Sequence, residues 1–351
     1  MSQSDYATRR ARLEALLESA RAIANATTQH GKHARARLIG SSGLSAAGVD
    51  FALARCLETN PSERELEALI RGTATAQVAH VLLSANVFVA AHRAIAIGLA
   101  ASDQVRVRAS RREPELAELL LAGAPGSFQL VPELSPRAGD RLWAYGSDAT
   151  LDEVAVTLPP GVAFHGHGSG FGVGVIDGPL SESERDELLA GLAEDVALFD
   201  QRGCLSPRVV LVNTAPEHAA ELAQRLAQAL EALQARIPRG QLSVQEAAEI
   251  TAYRDTASFA GTLFTAGLGF VSTSNTGGWL LPPAGRNVHV LATTDPVQCL
   301  MPFRPLITSC AFAGTPERRE ALRRSLPGAR ACRFGAMQSP PFDGPVDQRD
   351  A

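Results

Sequence analysis

The fold is decided by residues 162–237, which read VAFHGHGSGFGVGVIDGPLSESERDELLAGLAEDVALFDQRGCLSPRVVLVNTAPEHAAELAQRLAQALEALQARI. Short runs rich in Val, Leu and Ile alternate here with longer stretches in which apolar residues recur at helical spacing. We predict strands over 162–165, 172–176 and 208–212, and helices over 181–198 and 216–237. This alternation, with helices of this length, is typical of an α/β fold with a mostly parallel sheet.

The same alternation continues on both sides of this stretch. The further predicted strands are 105–108, 141–145 and 287–292, and the further predicted helices are 5–25, 115–121 and 149–158. Residues 72–92 contain no Asp, Glu, Lys or Arg, but Gln77, His80, Ser84 and Asn86 interrupt them. A membrane span needs about 20 nearly unbroken apolar residues, so we predict a buried strand that runs into a buried helix, and no membrane span.

The composition is that of a globular protein without a general affinity for nucleic acid. Of the 351 residues, 45% are hydrophobic and 20% are charged, and the net charge is -4. An acidic balance gives no general attraction to phosphate polymers, and aromatic residues, at 5%, provide few surfaces for base stacking. Lys32 is the only lysine, so lysine-dependent chemistry is confined to it.

The cysteines and the first residues favour a cytoplasmic protein. The 5 cysteines are odd in number and widely spaced, and none forms a C-x-x-C pair. This pattern indicates neither a disulfide framework nor a zinc ribbon. The initial residues MSQSDY also lack the basic and then apolar pattern of a signal peptide. We therefore expect a reducing, cytoplasmic environment.

Cys204 is the candidate nucleophile. It lies in the segment DQRGCLSP (200–207), between a predicted helix and a predicted strand. The neighbouring Gly203 allows a substrate to approach closely, and the backbone amide of the cysteine can stabilise an oxyanion. The spacing alone supports equally well the alternative that Cys204 is a small buried apolar residue.

A glycine cluster, HGHGSGFG (165–172), leads into the predicted strand 172–176. It matches neither the dinucleotide fingerprint G-x-G-x-x-G nor the nucleophile motif G-x-S-x-G. His165 and His167 have no third ligand at a matching spacing, and zinc needs at least three, so we expect no metal. We interpret the cluster as a loop against which a planar ring or an acyl chain can lie.

Asn86 and a group of arginines complete the candidates. Asn86 stands between an apolar strand and an apolar helix, where its amide serves either as a helix cap or as an oxyanion donor. Four arginines lie within seven residues at the end of a predicted strand, at positions 106, 108, 111 and 112. They form either an anion site for a phosphorylated cofactor or a solvated charged loop.

Together these segments resemble the aldehyde dehydrogenase superfamily and, within it, the LuxC-type acyl-CoA reductases. The superfamily order is an Asn-containing loop and helix, a V-x-V-x-x-S strand (105–110), a Tyr-Gly-Ser turn (145–147), a glycine loop and a Gly-Cys nucleophile. The LuxC-like motifs are G-L-S (43–45), D-Q-x-x-C-x-S-P (200–207) and R-F-G-x-M-Q-x-P (333–340). The resemblance extends from about residue 36 to residue 341.

The resemblance implies a Rossmann-like cofactor domain and a catalytic α/β domain, with the active site between them. It implies that Cys204 is the nucleophile and that Asn86 and the Cys204 amide hold the oxyanion. His167 stands at the position of the superfamily's glutamate base, where it can manage protons. The implied cofactor contacts are Arg108, Ser110, Arg111, Gly146, Ser147 and Gly168.

Departures from the superfamily pattern bear on the function. The superfamily's E-x-F-G-P ribose contact reads MPFRP (301–305) here, and its strand lysine is Arg108. We therefore expect NADP as the cofactor and reduction of an acyl thioester, an acyl-CoA or a carrier-bound acyl group, to the aldehyde; a fatty acyl group is the expected substrate. The alternatives are an aldehyde dehydrogenase or acyltransferase of the same fold, and a catalytically degenerate, non-enzymatic partner subunit.

We predict three parts of the chain. The N-terminal helices and the cofactor domain occupy residues 1–200, the catalytic cysteine domain residues 201–335, and a C-terminal arm rich in Pro, Gly and Asp residues 336–351. The sequence leaves the acyl chain length open, and it is compatible with a homo-oligomer.

Overall fold

The computed structural model describes residues 3–275 and 277–349, and it begins with a group of helices. These helices are α1 (Gln3–Ala24), α2 (Gln29–Ser42), α3 (Ala46–Cys56) and α4 (Glu63–Gly72). The hydroxyls of Thr28, Ser45 and Ser62 cap the first turns of α2, α3 and α4 by accepting backbone N–H groups. The leucines of α1, such as Leu13 and Leu16, are fully buried in one core with the first sheet.

The first sheet is parallel throughout, with the strand order β3-β2-β1-β4-β5. Its strands are β1 (Ala79–Leu82), β2 (Val105–Arg108), β3 (Gln129–Leu130), β4 (Arg141–Tyr145) and β5 (Ala163–His167), and its helices are α5 (Ala90–Ala101), α6 (Glu115–Gly123) and α7 (Asp148–Thr157). The strand order reverses between β1 and β4. Open parallel sheets bind ligands outside the carboxyl ends of the strands at such a reversal, so the loops after Leu82 and Tyr145 are placed for binding.

The second sheet has the order β12-β11-β6-β7-β10-β9-β8, and only the β8–β9 pair is antiparallel. Its strands are β6 (Phe171–Asp177), β7 (Pro207–Val212), β8 (Gly261–Ala266), β9 (Gly269–Ser274), β10 (Val288–Ala292), β11 (Ile307–Gly314) and β12 (Arg330–Cys332). Its helices are α8 (Glu182–Ala197), α9 (Pro216–Arg236), α10 (Val244–Ala260), α11 (Pro296–Leu300) and α12 (Pro316–Ser325). Strand β6 is buried along its whole length, because apolar side chains cover both of its faces.

The chain passes from the first sheet to the second through residues 168–170 alone. Strand β5 ends at His167 and pairs with β4, whereas β6 begins at Phe171 and pairs with β7 and β11. The glycines of this loop allow so short a connection between two sheets. The expected domain boundary at residue 200 therefore falls after β6 and α8, two elements that pack with the second sheet.

After β12, residues 333–349 form an arm without helix or strand. Phe342, which is 2% exposed, stacks on His92 of α5, so the arm crosses from the second sheet back to the first. The guanidinium of Arg93 holds it there by donating to the carbonyl oxygens of residues 340, 341 and 344.

The predicted parallel α/β fold is confirmed, and so are the strand and helix in the uncharged stretch 72–92. That stretch contains β1 and the start of α5, a helix whose residues after Ala90 are all buried. Among the described residues, no helix is both long enough and apolar enough to cross a membrane. Sequence periodicity missed α10 and the β8–β9 hairpin, because α10 has only three buried residues to mark a periodic face.

Candidate active site

The candidate residues gather where the two sheets meet. Strands β4 and β5 end at this junction, with Tyr145 paired to His167. The second sheet contributes the beginnings of β6, β7 and β11, which are neighbours in the sheet. Because these strands are parallel, the loops that precede them come together, and one of these loops carries Cys204.

A left-handed turn precedes the Cys204 loop. Phe199, Asp200 and Gln201 have φ values of 54°, 49° and 66°, a region that residues other than glycine rarely adopt. The buried carboxylate of Asp200 accepts the backbone N–H of Gly240 at 2.9 Å and pairs with the guanidinium of Arg286 at 2.8 Å. These contacts offset a backbone strain of about 1–3 kcal/mol per residue.

Gln201 fixes the other end of the same loop. Its Nε2 donates to the carbonyl oxygens of Pro207 and Asn287, both at 2.7 Å, and its Oε1 accepts the Asn287 N–H at 2.8 Å. Pro207 begins β7, so the Gln201 amide closes the loop across Cys204. Asp200 and Gln201, the first two residues of the D-Q-x-x-C motif, thus hold the loop from its buried side, since both side chains are buried.

The R-F-G-x-M-Q-x-P motif supports the loop from a second side. Gln338 Nε2 donates to the hydroxyl of Ser206 at 2.8 Å, and both residues are buried. The motif is itself held by Asp195 of α8, whose carboxylate accepts the N–H groups of Gly335 at 2.6 Å and Met337 at 3.0 Å. Burial raises the pKa of Asp195 to about 7, although these N–H groups favour its ionised form.

Cys204 itself is partly exposed. Its carbonyl oxygen accepts the hydroxyl of Thr308, at the start of β11, which ties the loop to the second sheet. Burial, with a smaller contribution from the Asp347 carboxylate, raises the pKa of the Cys204 thiol to about 11. The Arg349 guanidinium and the backbone N–H groups of Cys204 and Leu205 act in the opposite direction. The sulfur is therefore a thiol at neutral pH and needs a proton acceptor to become a nucleophile.

Asn86 lies in the loop between β1 and α5, at the strand-order reversal, and its side chain is exposed. It does not cap α5, because the residue before the first turn is Val89 and no side chain bonds there. The next residue, Val87, lies against Gly203: a Cβ on that glycine would be 3.1 Å from the Val87 side chain. The structure thus brings the Asn86 loop beside the Cys204 loop and removes the cap interpretation.

His167 ends β5 and points into the same region. Its ring stacks on Tyr145, with the ring centroids 4.7 Å apart. Its Nδ1 lies 3.9 Å from Oδ2 of Asp347, while its Nε2 is buried and has no hydrogen-bond partner in the described part of the chain. Burial raises the pKa of Tyr145, and an ionised Cys204 would raise it further, so the tyrosine lies within the electrostatic field of that sulfur.

The expected cofactor residues lie at or after the carboxyl ends of β2, β4 and β5, near the strand-order reversal at which open parallel sheets form a ligand-binding crevice. Arg108 ends β2 beside Leu82 and is half-buried, whereas Arg111 is exposed. Within residues 3–275 and 277–349, neither guanidinium has a hydrogen-bond or ion-pair partner. The Ser110 hydroxyl accepts the N–H of Arg112 at 3.3 Å. The structure therefore leaves unpaired cations next to the crevice, which suits an anionic ligand.

The Tyr-Gly-Ser turn and Gly168 line the other side of this crevice. Ser147 caps α7, and the N–H of Gly146 donates to the carbonyl of His167 at 3.3 Å. A Cβ at Gly168 would be 2.3 Å from a carboxylate oxygen of Asp148, so a larger residue there would displace that carboxylate. The start of α7 thus faces the glycine loop, as a helix N-terminus does in many dinucleotide sites.

Sequence reasoning missed the residues that the arm contributes. Asp347 is 6% exposed and lies beside His167, and Arg349 donates to Ser169 O at 2.9 Å and to Pro305 O at 2.8 Å. In the sequence, these two residues appear only as an isolated Asp and an isolated Arg in a Pro- and Gly-rich tail. No periodicity or spacing connects such residues to a histidine far back in the chain.

The Cys204 loop lies between a parallel sheet whose strand order reverses and a second, mixed sheet, an arrangement typical of the aldehyde dehydrogenase fold. Comparison with solved structures agrees. PnpE from Pseudomonas sp. WBC-3 superposes with a TM-score of 0.71 at 12% identity, covering 94% of this chain and 78% of that one. An NAD-dependent benzaldehyde dehydrogenase from Corynebacterium glutamicum gives 0.70 at 15% identity, covering 97% and 85%. Aldehyde dehydrogenase 21 from Physcomitrella patens gives 0.68 at 12% identity, covering 94% and 78%.

Within this fold, the chain belongs to the LuxC family of acyl-CoA reductases, whose family model matches residues 62–347. The match contains both sheets, the Cys204 loop and the arm as far as Asp347. It places the protein among oxidoreductases that act on aldehydes or acyl groups. No curated protein matches the sequence significantly.

Proposed function

We propose that the protein reduces an acyl thioester, a fatty acyl-CoA or a carrier-bound acyl group, to the aldehyde through an acyl-enzyme on Cys204, with NADPH as the reductant. The observation that carries this proposal is the Cys204 loop. Four buried side chains, Asp200, Gln201, Ser206 and Gln338, fix it so that a partly exposed sulfur stands at the junction of the sheets. Family membership supplies the reaction class.

The residues at the crevice fit a nicotinamide dinucleotide phosphate. Gly146, Ser147 and Gly168 lie beside the start of α7, and Arg108 and Arg111 provide unpaired cations for a 2′-phosphate. When bound, the dinucleotide supplies the hydride that reduces the acyl group. The chain's own residues bind and orient the two substrates and manage the protons.

Acylation is the step that the protein's side chains carry. The Cys204 thiol gives its proton to Nε2 of His167 as the sulfur bonds to the thioester carbonyl carbon. The Asn86 amide and the Cys204 N–H stabilise the oxyanion. When the carbon–sulfur bond to the leaving thiol breaks, His167 returns the proton to it. The overall reaction converts one acyl thioester, one hydride and one proton into an aldehyde and a free thiol.

The residue at position 167 favours reduction over oxidation of an aldehyde. Oxidation requires water to attack the acyl-enzyme, and in the resembled superfamily a glutamate serves as the base for that attack. Here the position holds a histidine whose ring stacks on Tyr145 and whose Nε2 is buried. A thioester is an activated substrate, so its attack by Cys204 does not require a carboxylate base.

The test combines intact-mass spectrometry with a cofactor assay. The wild-type chain, incubated with a panel of acyl-CoAs, is expected to gain one acyl group, and Cys204→Ala to gain none. Cys299→Ala, which removes another partly exposed cysteine, is the matched control and should acylate normally. Addition of NADPH should then discharge the acyl group and decrease the absorbance at the nicotinamide band.

Each other outcome identifies an alternative. An adduct that persists in Cys204→Ala contradicts the nucleophile assignment. Acylation that NADPH does not discharge indicates an acyltransferase, and reduction of NADP by free aldehydes alone indicates an aldehyde dehydrogenase. A chain that neither acylates nor binds a dinucleotide is a non-enzymatic partner subunit.

A further inference from the structure

The active site contains a side chain that neither of the two sheets provides. We propose that Asp347, on the C-terminal arm, is a positioning residue that holds His167 in the tautomer able to accept the proton of Cys204. The proposal rests on the proposed function for the proton transfer, but the placement of Asp347 is independent of the substrate. It makes the site a cysteine, a histidine and a carboxylate from three separate parts of the chain.

The arm is anchored on both sides of Asp347. Upstream, Phe342 is buried against His92, and its N–H donates to Glu65 at 2.9 Å. Arg330 of β12 donates to the carbonyl of Val346 at 2.9 Å. Asp347 therefore lies at the junction of the sheets, on a segment that contacts both halves of the molecule.

Arg349 anchors the arm on the downstream side. Its guanidinium reaches both oxygens of Asp347, at 2.8 and 2.6 Å, and also donates to the backbone of the glycine loop at Ser169. Asp347 consequently keeps its negative charge: the Arg349 side chain and His167 hold its pKa well below the usual range despite its burial. A carboxylate fixed in this way can orient a neighbouring imidazole.

The geometry of His167 defines what the carboxylate does. Nδ1 is the ring nitrogen nearest to Asp347, at 3.9 Å, a distance within ion-pair range and longer than a direct hydrogen bond. Catalytic hydrogen bonds are often long in free enzymes and shorten with substrate. A proton on Nδ1 faces the carboxylate, which leaves Nε2 with its lone pair free. Nε2 is the nitrogen that is buried without a partner in the described residues.

The other groups around His167 do not compete for this role. Tyr145 on β4 stacks against the ring, and His165, which lies on β5 with His167, bonds to Arg141 at 3.0 Å. Asp148 at the start of α7 accepts the N–H of Ser169 at 2.7 Å. The two charged groups that remain, Asp347 and Arg349, belong to the arm, and only the carboxylate attracts an N–H. Cys204 lies in the field of both, as its pKa shows.

The test measures the tautomer of His167 by nitrogen-15 NMR of the histidine rings in the full chain. The His167 signals are assigned by their absence from His167→Gln. At a pH where the ring is neutral, the proposal requires the wild-type proton on Nδ1. An isolated imidazole prefers the proton on Nε2, so a wild-type chain with the proton on Nε2 overturns the proposal without any variant.

Two substitutions on the arm distinguish a role of Asp347 in orienting His167 from a purely structural role in the arm. Asp347→Asn should shift the population toward the Nε2–H tautomer. It should also lower the rate of Cys204 acylation at neutral pH by about 10²-fold, the low end of general-base effects. Asp343→Asn, which removes the charge of the exposed partner of Arg330, is the matched control and should change neither. Asp347→Asn with an unchanged tautomer and an unchanged rate overturns the proposal.

The tautomer also distinguishes this inference from the proposed function. If the wild-type chain forms no acyl adduct but carries the Nδ1 proton, and Asp347→Asn removes it, the positioning role stands and the proposed reaction fails. If acylation is normal but the proton lies on Nε2, the reaction stands and the role of Asp347 fails.

Discussion

Gln338 donates a hydrogen bond from Nε2 to the hydroxyl of Ser206 at 2.8 Å, two residues from Cys204. The bond joins the two most specific sequence motifs, D-Q-x-x-C-x-S-P and R-F-G-x-M-Q-x-P, although 132 positions separate the partners. Both side chains are buried, and a Cβ on Gly203 would lie 3.6 Å from Oε1 of Gln338. The second motif therefore helps to support the Cys204 loop.

Substitution of this pair should show strong coupling. Gln338→Ala leaves the Ser206 hydroxyl without its partner and is expected to lower the free energy of unfolding by about 1–3 kcal/mol, with slower acylation of Cys204. Adding Ser206→Ala should recover part of the loss, because no unsatisfied hydroxyl then remains. Denaturant unfolding of the two single variants and the double variant measures the coupling. Strictly additive effects would contradict the linkage of the two motifs.

The reactivity of Cys204 should depend on pH in an unusual range. Its pKa is raised to about 11, so the thiolate fraction grows about tenfold per pH unit up to that value. Alkylation by iodoacetamide, followed at Cys204 by peptide mass, should still be rising steeply at pH 9. The alkylation rate of a small reference thiol, whose pKa is about 8.5, levels off above pH 9. A plateau for Cys204 below pH 9 would show that the thiolate is stabilised in the free protein.

Asn86 should affect chemistry and not stability. The side chain is exposed and does not cap α5, so Asn86→Ala should change the free energy of unfolding by about 0.5 kcal/mol or less. Because Asn86 is the proposed oxyanion donor, the substitution should lower the rate of Cys204 acylation by about 10²-fold. The two quantities are measured by thermal unfolding and by rapid-quench intact mass. An unchanged rate would remove Asn86 from the oxyanion hole.

The arginines after β2 should set the cofactor preference. Arg108 and Arg111 are unpaired within the described residues, and one charge-assisted contact with a 2′-phosphate contributes about 1.5–3 kcal/mol. This predicts that NADPH binds roughly ten- to a hundredfold more tightly than NADH. Arg108→Ala and Arg111→Ala should weaken NADPH binding and leave NADH binding unchanged in calorimetric titrations.

The control for this cofactor prediction is Arg236→Ala, at the exposed end of α9, which should change neither affinity. Equal affinities of the wild-type chain for the two dinucleotides, or variants that weaken both alike, would contradict a phosphate site at β2.

Much of the fold could be predicted from the sequence, because its central elements are marked by local apolar patterns. The apolar pattern predicts strand β6 at 172–176, and the structure has it at Phe171–Asp177; it predicts helix α9 at 216–237, and the structure has it at Pro216–Arg236. Short motifs around Cys204, Asn86 and His167 make these residues candidates. Their spatial relation was expected only through the family resemblance.

The rest of the site has no local pattern. Asp347 lies beside His167 and Arg349 donates to Ser169, in each case 180 positions earlier, and nothing in a Pro- and Gly-rich tail indicates where such a segment docks. The left-handed turn at 199–201 was also not predicted. None of its three residues is a glycine, and buried tertiary contacts of Asp200 and Gln201 stabilise the positive φ values.

Because only three residues connect the two sheets, the proposed reaction should be sensitive to the length of this connection. His167 belongs to the first sheet and Cys204 to the second, so residues 168–170 are the shortest covalent link across the junction. In the proposed reaction His167 and Cys204 must come within proton-transfer distance, and a single residue inserted at Ser169 would lengthen that link and alter their spacing. The same insertion in the β8–β9 turn at Leu268, which is 52% exposed, would leave that spacing untouched.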